Sequence, residues 1–291
     1  MSYEFEFRTY FSFQHLKSAA IFCKQSYEIE RFYAEKFSEI DSDERGKLEG
    51  ESYAFVTGTI FTCISFLEAN INEFYKDAAD RSYNNRLYPL PEESIKALGE
   101  LWNDKDSKFD MSSTLIKYQT ALETAGKSKL SEGQEPYQSV KLLISLRNSL
   151  IHYKTETLKS SAFDPDSKHY FEKRLTRKFE QNLFYKYSGN PYFPNKCLGY
   201  GCAKWALASV INFAEEFYGE IGIRPSFEHI KKCIDIGNLK DISHESLEGS
   251  YRPVNQLQNT ADFNREVISV VPEISIDFID IKDLKELKSD T

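Results

Sequence analysis

Arg147 and His152 sit five residues apart in an otherwise apolar stretch, with Asn148, Ser149, Leu150 and Ile151 between them and Tyr153 following. These residue types can act on a phosphodiester without a metal. A guanidinium holds the negative charge that develops on phosphate oxygens, and an imidazole moves a proton near neutral pH.

Such groups need a rigid platform, and the pattern around them predicts a helix from about Pro136 to Leu158. A proline at its start loses no hydrogen bond. At about 100° per residue, Leu142, Leu143, Leu146, Leu150 and Tyr153 share one side, and Val140, Ile144 and Ile151 form a second apolar patch. Between them runs a polar stripe of Lys141, Ser145, Asn148 and His152. A stripe of this kind on a nearly all-apolar helix must face a cleft, a partner or water. Arg147 lies about a quarter turn or more off the stripe. A second copy of the helix across a two-fold axis would bring two Arg/His pairs together reciprocally.

The rest of the chain reads as helical. A first helix is predicted from about Ser12 to Phe37, with Phe13, Leu16, Ala20, Cys23 and Tyr27 on one face. A polar break follows at 41–47. The second helix carries Val56, Ile60, Cys63, Leu67, Ile71, Phe74 and Ala78 at helical spacing and stops near Pro89 and Pro91. Shorter helices are expected at 92–103 and 112–125, and a last strong one from about Leu198 to Ile221. A short helix is expected at 226–236. Residues 267–271 and 274–281 are β-prone. The expected fold is therefore mostly helical over residues 1–230, with a partly irregular extension over 231–291 that holds the β-prone stretches.

Composition narrows the function. The net charge of −8 argues against a general nucleic-acid coating protein, whose affinity rests on phosphate neutralisation, but permits a local basic groove. That groove is expected on the segment holding Lys173, Arg174, Arg177 and Lys178, with Tyr170, Phe171, Phe179, Phe184 and Tyr185 interleaved; the alternative is a helix with its aromatics in the core and its lysines in water. The five cysteines are scattered. Cys23 and Cys63 read as reduced core residues, and Cys197 and Cys202 lack a second pair at zinc-site spacing, so no metal is expected. No uninterrupted apolar run reaches the roughly 20 residues of a bilayer span, and residues 1–8 have no leader character, so no membrane association and a cytoplasmic location are expected.

With these residues in view, Arg147-Asn148-Ser149-Leu150-Ile151-His152 resembles the R-x(4–6)-H signature of HEPN domains. The segments Ser65 to Ala69 and Ile71 to Phe74 resemble a helix of larger prokaryotic members, and Lys204-Trp205-Ala206 is similar to a further motif of that group. The resemblance covers residues 12–221. It implies an all-α fold, an antiparallel helical bundle with additional helices, as a homodimer with facing motif helices, and a metal-independent, cofactor-free ribonuclease that leaves 2′,3′-cyclic phosphate and 5′-hydroxyl ends. It further implies a toxin or anti-phage role, often beside an antitoxin or defence partner. Carried over, Arg147 binds the scissile phosphate, His152 moves the proton and Asn148 orients one or the other. Glu68, Asn72, Tyr153 and Lys141 are candidate supports. One subgroup has a tyrosine two places after the histidine, where modification silences it; here that place is Lys154, which speaks against this control.

Two plainer readings stand beside this one. Arg147 could pair with Glu68 or Glu73 to hold two helices together, and His152 could simply sit at a helix C-terminus where the dipole favours it. A non-catalytic module that binds a nucleotide or a protein as a dimeric scaffold is the alternative function.

Overall fold

The computed structural model describes residues 8–80, 87–155, 168–225 and 227–228. Among them there are seven α-helices and no strand: α1 (Ser12–Lys36), α2 (Ser42–Asp80), α3 (Glu92–Asn103), α4 (Thr114–Thr124), α5 (Tyr137–Ile151), α6 (Tyr170–Leu175) and α7 (Tyr200–Ile221). The chain divides into units 1–248 and 249–291, and every described residue belongs to the first. The expected boundary at 230/231, the β-prone stretches and most of the predicted 226–236 helix lie outside the described residues.

α1 and α2 form an antiparallel pair. Their register follows from three points: Ser12 meets Glu73, Phe22 packs over Gly58, and the Arg45 guanidinium lies 5.9 Å from the Tyr33 ring. Leu16, Ala19 and Cys23 on α1 recur at helical spacing and are fully buried against Val56, Ile60, Cys63 and Leu67 of α2. Glu73 fixes the start of α1, because its carboxylate accepts from the N–H groups of Phe11 and Ser12 at 2.6 and 2.8 Å. These are among the donors that a helix start leaves unsatisfied.

α2 is longer than its apolar pattern predicts. The polar stretch read as a break is mostly helix, because Asp41 caps it: its Oδ1 accepts from Asp43 and Glu44 N–H at 3.0 and 2.9 Å. At 39 residues α2 is the one helix among the described residues long and apolar enough to cross a membrane. Within the protein it is the central core helix, packed by α1, α3, α4, α5 and α7.

α7 closes the core with aromatic edges. Tyr118 of α4 meets Phe213 and Phe217 edge-on at 5.0 and 4.7 Å, and Phe74 of α2 meets Phe217 at 5.6 Å. The buried Asn70 side chain accepts from the hydroxyls of Tyr118 and Tyr218 at 3.3 and 3.1 Å, so these polar groups remain paired inside the core. Gly222 ends α7 at a φ of +79°, the left-handed geometry glycine adopts without strain. α7 begins at Tyr200, two residues after the predicted start at Leu198.

Gly99 lets α3 lie directly on α2. A Cβ there would come 2.8 Å from the Ala78 carbonyl oxygen and 2.9 Å from the Ala79 Cα, both backbone atoms that cannot swing aside. Gly99→Ala is therefore expected to lower stability by about 2 kcal/mol, overpacking outweighing the helix propensity gained. Urea unfolding monitored by circular dichroism checks this; an unchanged midpoint would show that the helices separate freely.

Candidate active site

α5 ends at Ile151, not at Leu158. His152 is its C-cap residue, with backbone φ −104° and ψ 36°, and its N–H donates to the Asn148 carbonyl at 2.9 Å. Tyr153, Lys154 and Thr155 are already outside the helix. The apolar face read from the sequence is buried, with Val140, Leu142, Leu143 and Leu146 in the core. The polar stripe faces outward: Lys141, Asn148 and His152 are exposed and Ser145 half-buried.

Arg147 points elsewhere. It lines a cleft of about 370 Å³ between α1, α2 and α5, together with His15, Phe61, Ile64, Ser65, Glu68, Ala69, Asn72 and Ile151. Its Nε is buried with no hydrogen-bond partner, and among the described residues the guanidinium makes no ion pair. The pairing with Glu68 or Glu73 raised by the sequence is absent. Glu73 is occupied by the start of α1. Glu68 accepts from Lys117 Nζ at 2.6 Å and from the Thr114 hydroxyl, and more distantly from Asn72 Nδ2 at 3.5 Å. Burial pushes the Glu68 carboxyl up, but the Lys117 and Thr114 bonds and the Lys117 charge outweigh it, so it sits below the usual carboxylate range.

Lys117 was missed by the sequence reading. It is fully buried on α4, donates to Asn72 Oδ1 at 2.9 Å as well as to Glu68, and lies 5.9 Å from the Trp102 ring. The supports Glu68 and Asn72 are thus held from below by one buried cation. The signal was present: Thr114, Lys117, Tyr118 and Ala121 share one face of α4, and a lysine on a buried face needs an anionic partner.

His15 was also missed. It is half-buried one turn into α1, its ring edge-on to Phe11 at 4.9 Å. Partial burial lowers its pKa and the nearby Glu73 carboxylate pulls it back up, the net shift being downward. His152 does not line the cleft, and its side chain makes no hydrogen bond among the described residues. The structure therefore brings Arg147 together with His15, Glu68 and Asn72, and leaves Asn148 and His152 on the adjoining outer surface of the same helix.

The remaining candidates lie apart from this cleft. Lys141 is exposed, 3.8 Å from Glu132. Tyr153 lies 6.4 Å from the Phe193 ring, on which His169 stacks at 4.9 Å. Lys173, Arg174, Arg177 and Lys178 are all exposed and none lines the cleft. Lys178 bonds Glu135 at 2.7 Å at the other end of α5, and the Arg174 guanidinium lies 5.6 Å from the Tyr170 ring. Phe171 and Phe184 are core residues, Phe179 packs on Trp205 and the half-buried Tyr185 bonds Glu49, so only Tyr170 of that aromatic set is exposed enough to stack on a base. The segment is helical only over α6, because its aromatics anchor it to the core at irregular intervals.

Cys23, Cys63, Cys197 and Cys202 are buried and reduced, and burial pushes the Cys23 thiol up to about 12. Among the described residues no group of three or more His, Cys, Asp or Glu side chains is placed to hold a metal ion. Comparison of the chain with protein-family models, with curated proteins and with solved structures returns no match.

Proposed function

We propose that this protein is a HEPN-like, metal-independent endoribonuclease of toxin or anti-phage defence type, working in the cytoplasm as a homodimer. The observation that carries the reading is Arg147: a cation turned into a cleft, its Nε buried and unpartnered, one turn from an exposed histidine. Water is largely kept from that nitrogen, so an anion entering the cleft gains a charge-assisted bond at little further desolvation cost. A phosphodiester oxygen fits that demand.

Within one chain His152 lies outside the cleft, and the composite arrangement answers this. Ile151 and Phe61 on the cleft wall, and Phe11 against the His15 ring, are exposed apolar side chains. A second copy docked on them would bury that surface and carry its own His152 toward Arg147, as two-fold pairing of α5 requires. Arg147 then binds the scissile phosphate, Asn148 orients it, and His152 exchanges the proton. RNA is the substrate, best as a single-stranded or looped region whose backbone can align for in-line attack. An antitoxin or defence partner would restrain it.

The test is cleavage of mixed RNA by the purified protein in EDTA. The expected products carry 2′,3′-cyclic phosphate and 5′-hydroxyl ends, and both His152→Ala and Arg147→Ala abolish them. Equal cleavage by wild type and both variants would remove these residues from the chemistry. The outward position of His152 favours the second reading, a dimeric module that binds nucleotides without turnover; RNA binding that Arg147→Ala weakens, with no cleavage by an intact dimer, selects it.

A further inference from the structure

We propose that His15 is a catalytic residue of this cleft: the base that takes the proton from the ribose 2′-hydroxyl of an RNA strand whose phosphate Arg147 holds. The proposal rests on the nuclease reading and adds to it a residue from outside the R-x(4)-H motif.

Of the two imidazoles, His15 is the one that shares the cleft with Arg147. Among the described residues neither of its ring nitrogens has a hydrogen-bond partner in the protein, so both are available to a ligand. Its platform is rigid, because Glu73 ties the first residues of α1 to α2 through Phe11 N–H, Ser12 N–H and the Ser12 hydroxyl. The Phe11 ring edge fixes its orientation from one side. The cleft, about 370 Å³, suits a ribose-phosphate unit and falls within the range of about 300–1,000 Å³ usual for small-ligand sites.

The charged groups facing this ring are Glu73 and Glu68 from α2 and Arg147 from α5. Partial burial favours the neutral imidazole and outweighs Glu73, which opposes it. A neutral imidazole accepts a proton, so His15 supplies the base, and His152 of a second copy is assigned the acid. The reaction then balances. His15 takes the 2′-hydroxyl proton, the O2′–P bond forms and the P–O5′ bond breaks. The departing 5′-oxygen takes a proton from the His152 imidazolium. One histidine gains a proton, the other loses one, and Arg147 stabilises the equatorial oxygens throughout.

The test uses the full chain with histidine-selective isotope labelling. Titration with inorganic phosphate should move the His15 ring resonances and raise its pKa, and Arg147→Ala should abolish both changes. His15→Asn, which keeps size and polarity, should slow cleavage about 10²–10⁴-fold with the thermal midpoint unchanged. It should also flatten the acidic limb of the pH profile of kcat/KM, which a merely structural residue would leave in place. Turnover that His15→Asn leaves intact while Arg147→Ala is dead overturns this proposal alone, as does phosphate that leaves the His15 ring unmoved. Wild-type protein with no turnover on any RNA removes the nuclease reading and this proposal together.

Discussion

Arg147→Met should lose RNA cleavage by about 10³-fold or more while its thermal midpoint stays level or rises. The two halves come from one observation. In the protein alone the Arg147 Nε is buried without a partner, and no carboxylate neutralises the guanidinium. An unsatisfied buried donor costs about 1–3 kcal/mol. Methionine fills similar volume without that cost, so the folded state loses nothing. The transition state loses its counter-charge. Lysine should recover little, because a point charge cannot offer two parallel N–H groups to a phosphate. Initial rates and thermal unfolding of the same preparations decide it. A Met variant that cleaves at the wild-type rate, or one that is inactive because it has unfolded, would each refute the argument.

The sequence displayed the helices well where apolar spacing was unbroken. α1, α3 and the buried face of α5 fall where periodicity puts them, since burial and periodicity are the same physical demand. It misjudged ends, which depend on single bonds. Asp41 starts α2 well before its apolar run begins, and α5 stops at Ile151, where His152 leaves helical geometry. The latter matters for the site. A helix continued to Leu158 carries His152 as one more stripe residue; a helix ending there makes it a terminal group on the surface.

The site was legible as far as one helix allows. Arg147 was read as lying off the polar stripe, and it does, turning into the cleft while Asn148 and His152 face outward. His15 and Phe61 could not be placed there, because α1, α2 and α5 meet only through tertiary packing between distant segments. Glu68 and Asn72 were named only as candidate supports on the second helix. Their engagement with Lys117 needed a third helix: α4 shows in its own pattern that this lysine falls on a buried face, but not which carboxylate it meets.

The largest stability effect should come from Glu30, far from the cleft and fully buried on α1. Its carboxylate accepts from the Tyr200 N–H at 2.6 Å and so pins the start of α7. Gly199 leaves room for it: a Cβ there would come 2.8 Å from Glu30 Oε1. Burial pushes this carboxyl from 4.5 up to about 7, and the N–H groups of Tyr200 and Leu183 only partly offset it. Between those two values the folded chain holds a proton the unfolded chain has released. Stability is therefore fully present below about pH 4.5 and falls as pH rises to about 7, with the full penalty above. At 1.36 kcal/mol per pKa unit the loss is about 3 kcal/mol. Glu30→Gln keeps an oxygen for Tyr200 N–H and removes the charge. It should match wild type at pH 4 and exceed it by about 3 kcal/mol at pH 8, raising the midpoint by about 5–10 °C. The N-terminal dipole of α7 acts the other way, favouring the anion by about 1 kcal/mol or less. An equal shift at both pH values, or none at pH 8, would mean that the start of α7 already solvates the charge. With Glu30 silenced, a pH profile of RNA cleavage between pH 5 and 8 reports the His15 imidazole of the cleft rather than the stability of the scaffold that carries it.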